Sequence, residues 1–180
     1  MLEATLLKAE NCESKDFKSS NTALFQGGSR LLSIAGWAPE NIRTSQEIER
    51  TLIDSPHPFS IDIEARTGIR ERRFRDPKMR IVDMALEACK KAIDQSGVNP
   101  KEIDLIIYCG VCREFTEPAT ATLIHHRLGL KQATAFDVSN ACLGFVDGWF
   151  IADSMIASGR ASLALIVTAE AGSKYSELAV

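Results

Sequence analysis

From residue 31 onward the chain alternates short apolar runs with longer stretches of helical spacing. "LLSIAGW" (31–37) predicts a short strand. "TSQEIERTL" (44–52) opens with Thr-Ser and places Glu47 three residues after Thr44, the signature of a capping box, so it predicts a short helix. Two prolines two residues apart make 55–62 a loop. The 76–97 stretch predicts the clearest helix. Asp76 is its expected cap, Pro77 fits its first turn, apolar residues at 81, 82, 85, 88, 89, 92 and 93 form one stripe, and Gly97 stops it. "IDLIIYC" (103–109) predicts a buried strand, 120–130 a short helix, 133–138 a second short strand and 142–159 a helix with one inward face. "ASLALIVTA" (161–169) is an unbroken apolar run, as expected of a central strand covered on both faces. Strands alternating with helices predict a layered α/β fold with a mainly parallel, mixed sheet.

Residues 1–29 are polar and mixed, and are expected to form a loose leader or a peripheral extension, with the folded domain spanning 30–180. The N-terminus lacks a basic start followed by a long apolar core, so no secretory signal is expected. No run of 18 apolar residues predicts a membrane span. The net charge of −3 favours neither nucleic acid nor an anionic membrane surface. Five cysteines at scattered spacing, Cys12, Cys89, Cys109, Cys112 and Cys142, argue against a disulfide framework and for a reducing, cytoplasmic setting. They show no second pair that would complete a four-cysteine zinc site, so no metal is expected.

Cys142 carries the chemical question. It lies in "DVSNACLGF" (137–145), where a strand gives way to a helix. The N-terminus of a helix carries partial positive charge and unpaired N–H groups, and both favour the reactive thiolate. A tight strand-to-helix turn also lifts a side chain above a sheet, and Gly144 admits another backbone or a substrate. Against this, free cysteine is one of the most commonly buried residues, and position alone leaves both readings open.

The wording of the sequence adds to this. The 135–170 stretch, "AFDVSNACLGFVDGWFIADSMIASGRASLALIVTAE", resembles the nucleophile segment of thiolase-like condensing enzymes, nearest the ketoacyl-ACP synthase III branch. "RTGIRERRF" (66–74) resembles that branch's early signature. "NACLGF" together with "REFTEPATAT" (113–122) looks most like the enzymes that join two acyl-CoA chains head to head in long-chain olefin synthesis. The resemblance covers residues 30–175 and implies the N-terminal half of a thiolase-like fold.

By that resemblance Cys142 takes an acyl group as a thioester. A carbanion from a second acyl thioester then attacks it and gives a β-ketoacyl product. Glu117 matches a glutamate that reaches from one subunit into its neighbour's active site and removes the α-proton. Desolvation in an apolar acyl channel would make it a stronger base. Arg66 matches an arginine that contacts the CoA nucleotide, although Asp62 stands where the branch often has an adenine-stacking tryptophan. The implied substrates are acyl-CoA or acyl carrier protein, with no further cofactor. The implied partner is a second copy of the chain or a chain carrying the C-terminal half.

The histidine and asparagine of the family's oxyanion hole belong to that second half, and His57, His125 and His126 sit in no matching context. Loss of one oxyanion donor costs ~3 kcal/mol in barrier, so these 180 residues alone are expected to have little or no condensing activity.

Two other readings stand beside this one. The chain could be a non-catalytic half that docks on a complete enzyme. Alternatively, "CGVC" (109–112) could be a dithiol redox site, although Pro118 argues for a loop after it where a thioredoxin-like site would open a helix. No P-loop or G-x-G-x-x-G run is present.

Overall fold

The computed structural model describes residues 3–9, 28–56 and 58–172. The chain sorts into two compact units, where the sequence suggested one domain over 30–180. The first comprises Met1–Trp37 and Ile81–Glu170, and the second Ala38–Arg80 and Ala171–Val180.

The first unit is built on a five-stranded sheet. In chain order its strands are β1 (Glu3–Ala9), β2 (Ser29–Gly36), β5 (Leu105–Tyr108), β6 (Thr134–Asp137) and β7 (Leu163–Thr168). Their spatial order is β2-β1-β7-β5-β6. β7, β5 and β6 run parallel, while β1 is antiparallel to both of its neighbours. The sheet is therefore mixed, with the parallel part on one side of β7. The two unbroken apolar runs became β5 and β7, and their buried side chains explain why the sequence shows no alternation there.

At residues 3–9 the structure has a strand, β1, where the sequence suggested a leader or peripheral extension. Ala4, Leu6 and Leu7 are fully buried, and the strand is paired on both sides. A seven-residue run among polar neighbours gave little signal. The two ladders that make it interior are formed with residues 29–36 and 163–168, both distant in sequence. Residues 10–27 lie outside the described residues.

Helices cover both faces of this sheet. α5 (Gly144–Ala157) packs Ala152 and Ile156 onto Leu7, Leu105, Ile107, Ala164 and Ile166. No residue of α3 (Ile81–Ser96) or α4 (Thr120–Arg127) belongs to that cluster. These two helices touch each other and pack on the opposite face, α3 on β1 and β2, and α4 on β5 and β6. The predicted stripe of α3 is buried from Val82 onward, including Cys89 at 0% exposure.

The start of α3 differs from the sequence reading. Asp76 accepts a hydrogen bond from the Lys78 N–H at 2.8 Å and closes a local turn, and the helix opens only at Ile81. There the carboxylate of Glu114 accepts from the Ile81 N–H at 3.0 Å. The cap is supplied from 33 residues away, where local sequence cannot show it.

In the second unit, α1 (Ser45–Ile53) has the predicted capping box. Thr44 accepts from the Glu47 N–H, and the Glu47 carboxylate accepts from the Thr44 N–H at 2.7 Å. The Thr44 N–H, and then the Thr44 hydroxyl, which also donates to that carboxylate, hold the Glu47 carboxyl below its ordinary pKa. α2 (Ile63–Thr67) follows, then β4 (Glu71–Arg73), which pairs antiparallel with β3 (Ile42–Thr44). The Arg43 guanidinium lies 4.7 Å from the centre of the Phe74 ring.

Candidate active site

Strand β6 ends at Asp137, and the Val138 N–H donates to the Tyr108 carbonyl at 2.8 Å, which keeps the exit of β6 beside that of β5. A single 3-10 turn, Ala141–Leu143, follows, and α5 begins at Gly144. Cys142 sits in the middle of that turn, two residues before the regular helix that the sequence suggested it would open, and it is exposed. Ala141 has φ 45°. This left-handed conformation costs a residue with a Cβ ~1–2 kcal/mol, and such strain is characteristic of functional turns. Asn140 steadies the turn from its other side, its side-chain amide donating to the Asp147 carboxylate at 2.6 Å. No side chain caps the start of α5, so N–H groups at this end are not taken up by a capping side chain.

Two glycines let α5 begin close against the sheet. A Cβ at Gly144 would lie 2.8 Å from the Cys109 carbonyl oxygen, and one at Gly148 would lie 2.3 Å from the Cys109 Sγ. Gly144 thus admits a backbone, as its place in the sequence suggested, and that backbone belongs to Cys109.

Glu117 lies at the exposed tip of the loop between β5 and α4, next to the half-exposed Phe115. The tip is exposed but its base is firmly held. The buried Tyr108 hydroxyl reaches the carbonyls of Cys112 and Ala169, the latter at 2.9 Å. Burial pushes that phenol far above its ordinary pKa. The Glu170 carboxylate accepts from the N–H groups of Val111 (2.7 Å) and Cys112 (3.3 Å), and Glu114 holds α3 as described. On the far side, Asp137 accepts from the N–H groups of Thr120 (2.9 Å) and Ala121 (2.8 Å) at the start of α4. Sequence reading missed Tyr108, Glu114, Asp137 and Glu170. The available signal was an acid or a tyrosine at or just past a strand end, which does not name its partners.

Arg66 is in the last turn of α2, in the second unit, and is exposed. The neighbouring arginines have partners within that unit: Arg70 with Glu64, Arg72 with the Ser45 hydroxyl, and Arg73 and Arg75 with backbone carbonyls. Among the described residues Arg66 has no side-chain partner. Asp62, the departure from the resembling pattern, caps α2 by accepting from the Ala65 N–H at 2.8 Å.

Cys109 and Cys112 are buried. Burial, with the charges of Asp137 and Asp147 adding to it, pushes the Cys109 thiol up to about 12. A working dithiol site needs an accessible sulfur with a lowered pKa, so the redox reading is set aside. His125 is half-buried and His126 exposed on α4. His57 and Cys12 lie outside the described residues. Among the described residues no cluster of three or more His, Cys, Asp or Glu side chains is placed to hold a metal, and no helix is long and apolar enough to cross a membrane.

A mixed sheet layered between helices, with an exposed cysteine on a strained turn beyond a parallel strand, matches the thiolase-like fold. Comparison with known proteins agrees. Residues 136–179 match the family of 3-oxoacyl-[acyl-carrier-protein] synthase III. The β-ketoacyl-[acyl-carrier-protein] synthase III of Symbiobacterium thermophilum is 41% identical over 136 residues, covering 76% of this chain and 40% of that protein. The crystal structure of 3-oxoacyl-(acyl carrier protein) synthase III, FabH, from Xanthomonas oryzae pv. oryzae superposes with a TM-score of 0.78 at 31% identity, covering 86% of this chain and 47% of that one. A cysteine-to-serine variant of Xanthomonas campestris OleA, with bound lauric acid and lauroyl-CoA, gives a TM-score of 0.71 at 30% identity over 79% and 45% of the two chains. The chain belongs to the ketoacyl-ACP synthase III branch of the thiolase-like family. It spans less than half the length of the curated relatives it matches.

Proposed function

We propose that this chain supplies the nucleophile half of an acyltransferase that makes a β-ketoacyl product by Claisen condensation of acyl thioesters. The observation that carries the reading is the exposed Cys142 on the strained turn before α5. Its thiolate attacks the carbonyl of an acyl-CoA or acyl-carrier-protein thioester, the carrier leaves as its thiolate, and the acyl group stays on Sγ. Glu117 acts as the base that takes the α-proton of the second thioester, in a neighbouring subunit. An exposed carboxylate on an anchored loop supports that role, because the loop is ordered before any partner arrives. Arg66 contributes a phosphate contact to the CoA carrier, supported by its unengaged guanidinium. The head-to-head use of two acyl-CoA chains is favoured by Glu117 and by the Cys-Leu-Gly-Phe run 142–145. The setting proposed for this lipid chemistry is the cytoplasm.

The outer face of α5 supports an assembly larger than one such chain. Leu143 (53%), just before α5, and Val146 (41%) and Phe150 (66%) on it are exposed, and an apolar row at helical spacing supports an interface there. The occupant proposed is a second copy or a C-terminal half of the family's fold.

The test is incubation of the folded chain with lauroyl-CoA, read by intact mass. A hydroxylamine-labile lauroyl adduct on the wild type, absent from Cys142→Ala, is the expected result. A folded chain that takes up no acyl group, or takes it up equally in Cys142→Ala, overturns the reading.

A further inference from the structure

Glu117 and Cys142 lie on different segments, and one side chain touches what holds both. Asp137 is the last residue of β6, five residues before Cys142. Its side chain is only 7% exposed. One carboxylate oxygen accepts from the Ala121 N–H, and the other from the Thr120 N–H, just after Glu117. The second oxygen also lies 3.8 Å from Nε of Arg113, just before Glu117. Asp137 therefore grips both flanks of the seven-residue stretch 113–119 and fastens them to the strand that delivers the nucleophile.

We propose that Asp137 is a positioning residue that fixes the Glu117 loop relative to the Cys142 turn. The importance of that spacing rests on the reading of Glu117 and Cys142 as base and nucleophile. The physical argument for the tether stands apart from it. A carboxylate that is almost fully buried must be hydrogen-bonded by charged or N–H donors. Among the described residues its donors come from the loop and the start of α4, so the strain of moving the loop falls on a buried charge. A helix cap alone would need only the Thr120 and Ala121 N–H groups. The Arg113 contact on the opposite flank is what makes Asp137 a bracket around Glu117.

The experiment places spin labels at Glu117→Cys and at native Cys142, in a full chain carrying Cys12→Ser, and reads the interlabel distance distribution together with amide exchange. With Asp137 intact one narrow distribution is expected. Asp137→Ala should broaden it and speed exchange through residues 113–121 by about tenfold, with the α3 amides beyond its first turn unchanged. Asp137→Asn keeps an acceptor oxygen but loses the ion pair, so it should fall between the two, as should Arg113→Ala. If Asp137→Ala leaves the distribution unchanged and only Thr120 and Ala121 exchange faster, Asp137 is a cap and the proposal fails. Should Asp137→Ala not fold, unchanged distributions in both Asp137→Asn and Arg113→Ala overturn it equally. Lauroyl transfer to Cys142, measured on the otherwise wild-type chain, reports separately on the nucleophile, so the two failures are told apart.

Discussion

Gly148 of α5 faces Cys109 of the β5 exit so closely that a Cβ at position 148 would sit 2.3 Å from the cysteine sulfur. The contact sets how near α5 can lie to the sheet, and hence where the turn bearing Cys142 emerges. Gly148→Ala should therefore destabilise the fold by about 1–3 kcal/mol through overpacking, against a helix-propensity gain of about 1 kcal/mol. Denaturant unfolding checks this. Cys109→Ala in the same chain should recover much of the loss, and additive effects of the two substitutions would refute the contact as its cause.

Ala141 makes the opposite prediction from the usual one for alanine. Its φ of 45° is uncomfortable for a residue with a Cβ. Ala141→Gly should leave stability unchanged or raise it by about 0.5 kcal/mol, the relief of left-handed strain outweighing the added freedom of the unfolded chain. A loss of about 1 kcal/mol or more in thermal or chemical unfolding would show that the turn is not strained there.

The two candidate caps of α3 can be separated directly. Glu114→Ala removes the acceptor for the Ile81 N–H and should cost about 1 kcal/mol. Asp76→Ala breaks only a local turn and should stay within about 0.5 kcal/mol. The reverse order, measured by chemical denaturation, would restore Asp76 as the cap.

The buried thiols predict a loss of stability in alkali. Burial pushes both Cys89 and Cys109 up to about 12, from an ordinary value of 9.0. Above pH 9 the unfolded chain releases these protons while the folded chain keeps them, so ν_U is smaller than ν_N and stability falls as pH rises. The contribution is complete below pH 9 and lost through 9–12, with a slope of at most ~1.4 kcal/mol per pH unit for each thiol. Cys89→Ala should flatten the fall between pH 9 and 11. At neutral pH iodoacetamide should label Cys142 and spare Cys89, Cys109 and Cys112 in the folded chain, and labelling of all four would contradict their burial.

The family's motifs and most of the helices and strands were legible in the sequence because their signals are local. The α3 stripe, the apolar β5 and β7 runs, the Thr44–Glu47 box and the strand-to-helix position of Cys142 each depend on residues within a few places of one another. β1 was not legible, because its place inside the sheet depends on ladders to residues 29–36 and 163–168. The Asp76 cap failed for the same reason, since the Glu114 carboxylate that reaches Ile81 comes from a distant loop. For the C-x-x-C pair, sequence supplied the spacing, but burial of both sulfurs is a property of packing.

By itself the sequence picked out the residues proposed to do chemistry here, Cys142, Glu117 and Arg66, because residue type and local spacing are written along one dimension. Only the tertiary structure decided which of the described thiols is open to solvent, that Ala141 bends the backbone beneath it, and that Asp137 holds both ends of the Glu117 loop. Exposure, strain and buried hydrogen bonds arise when remote segments exclude water together, and no single stretch of chain contains them.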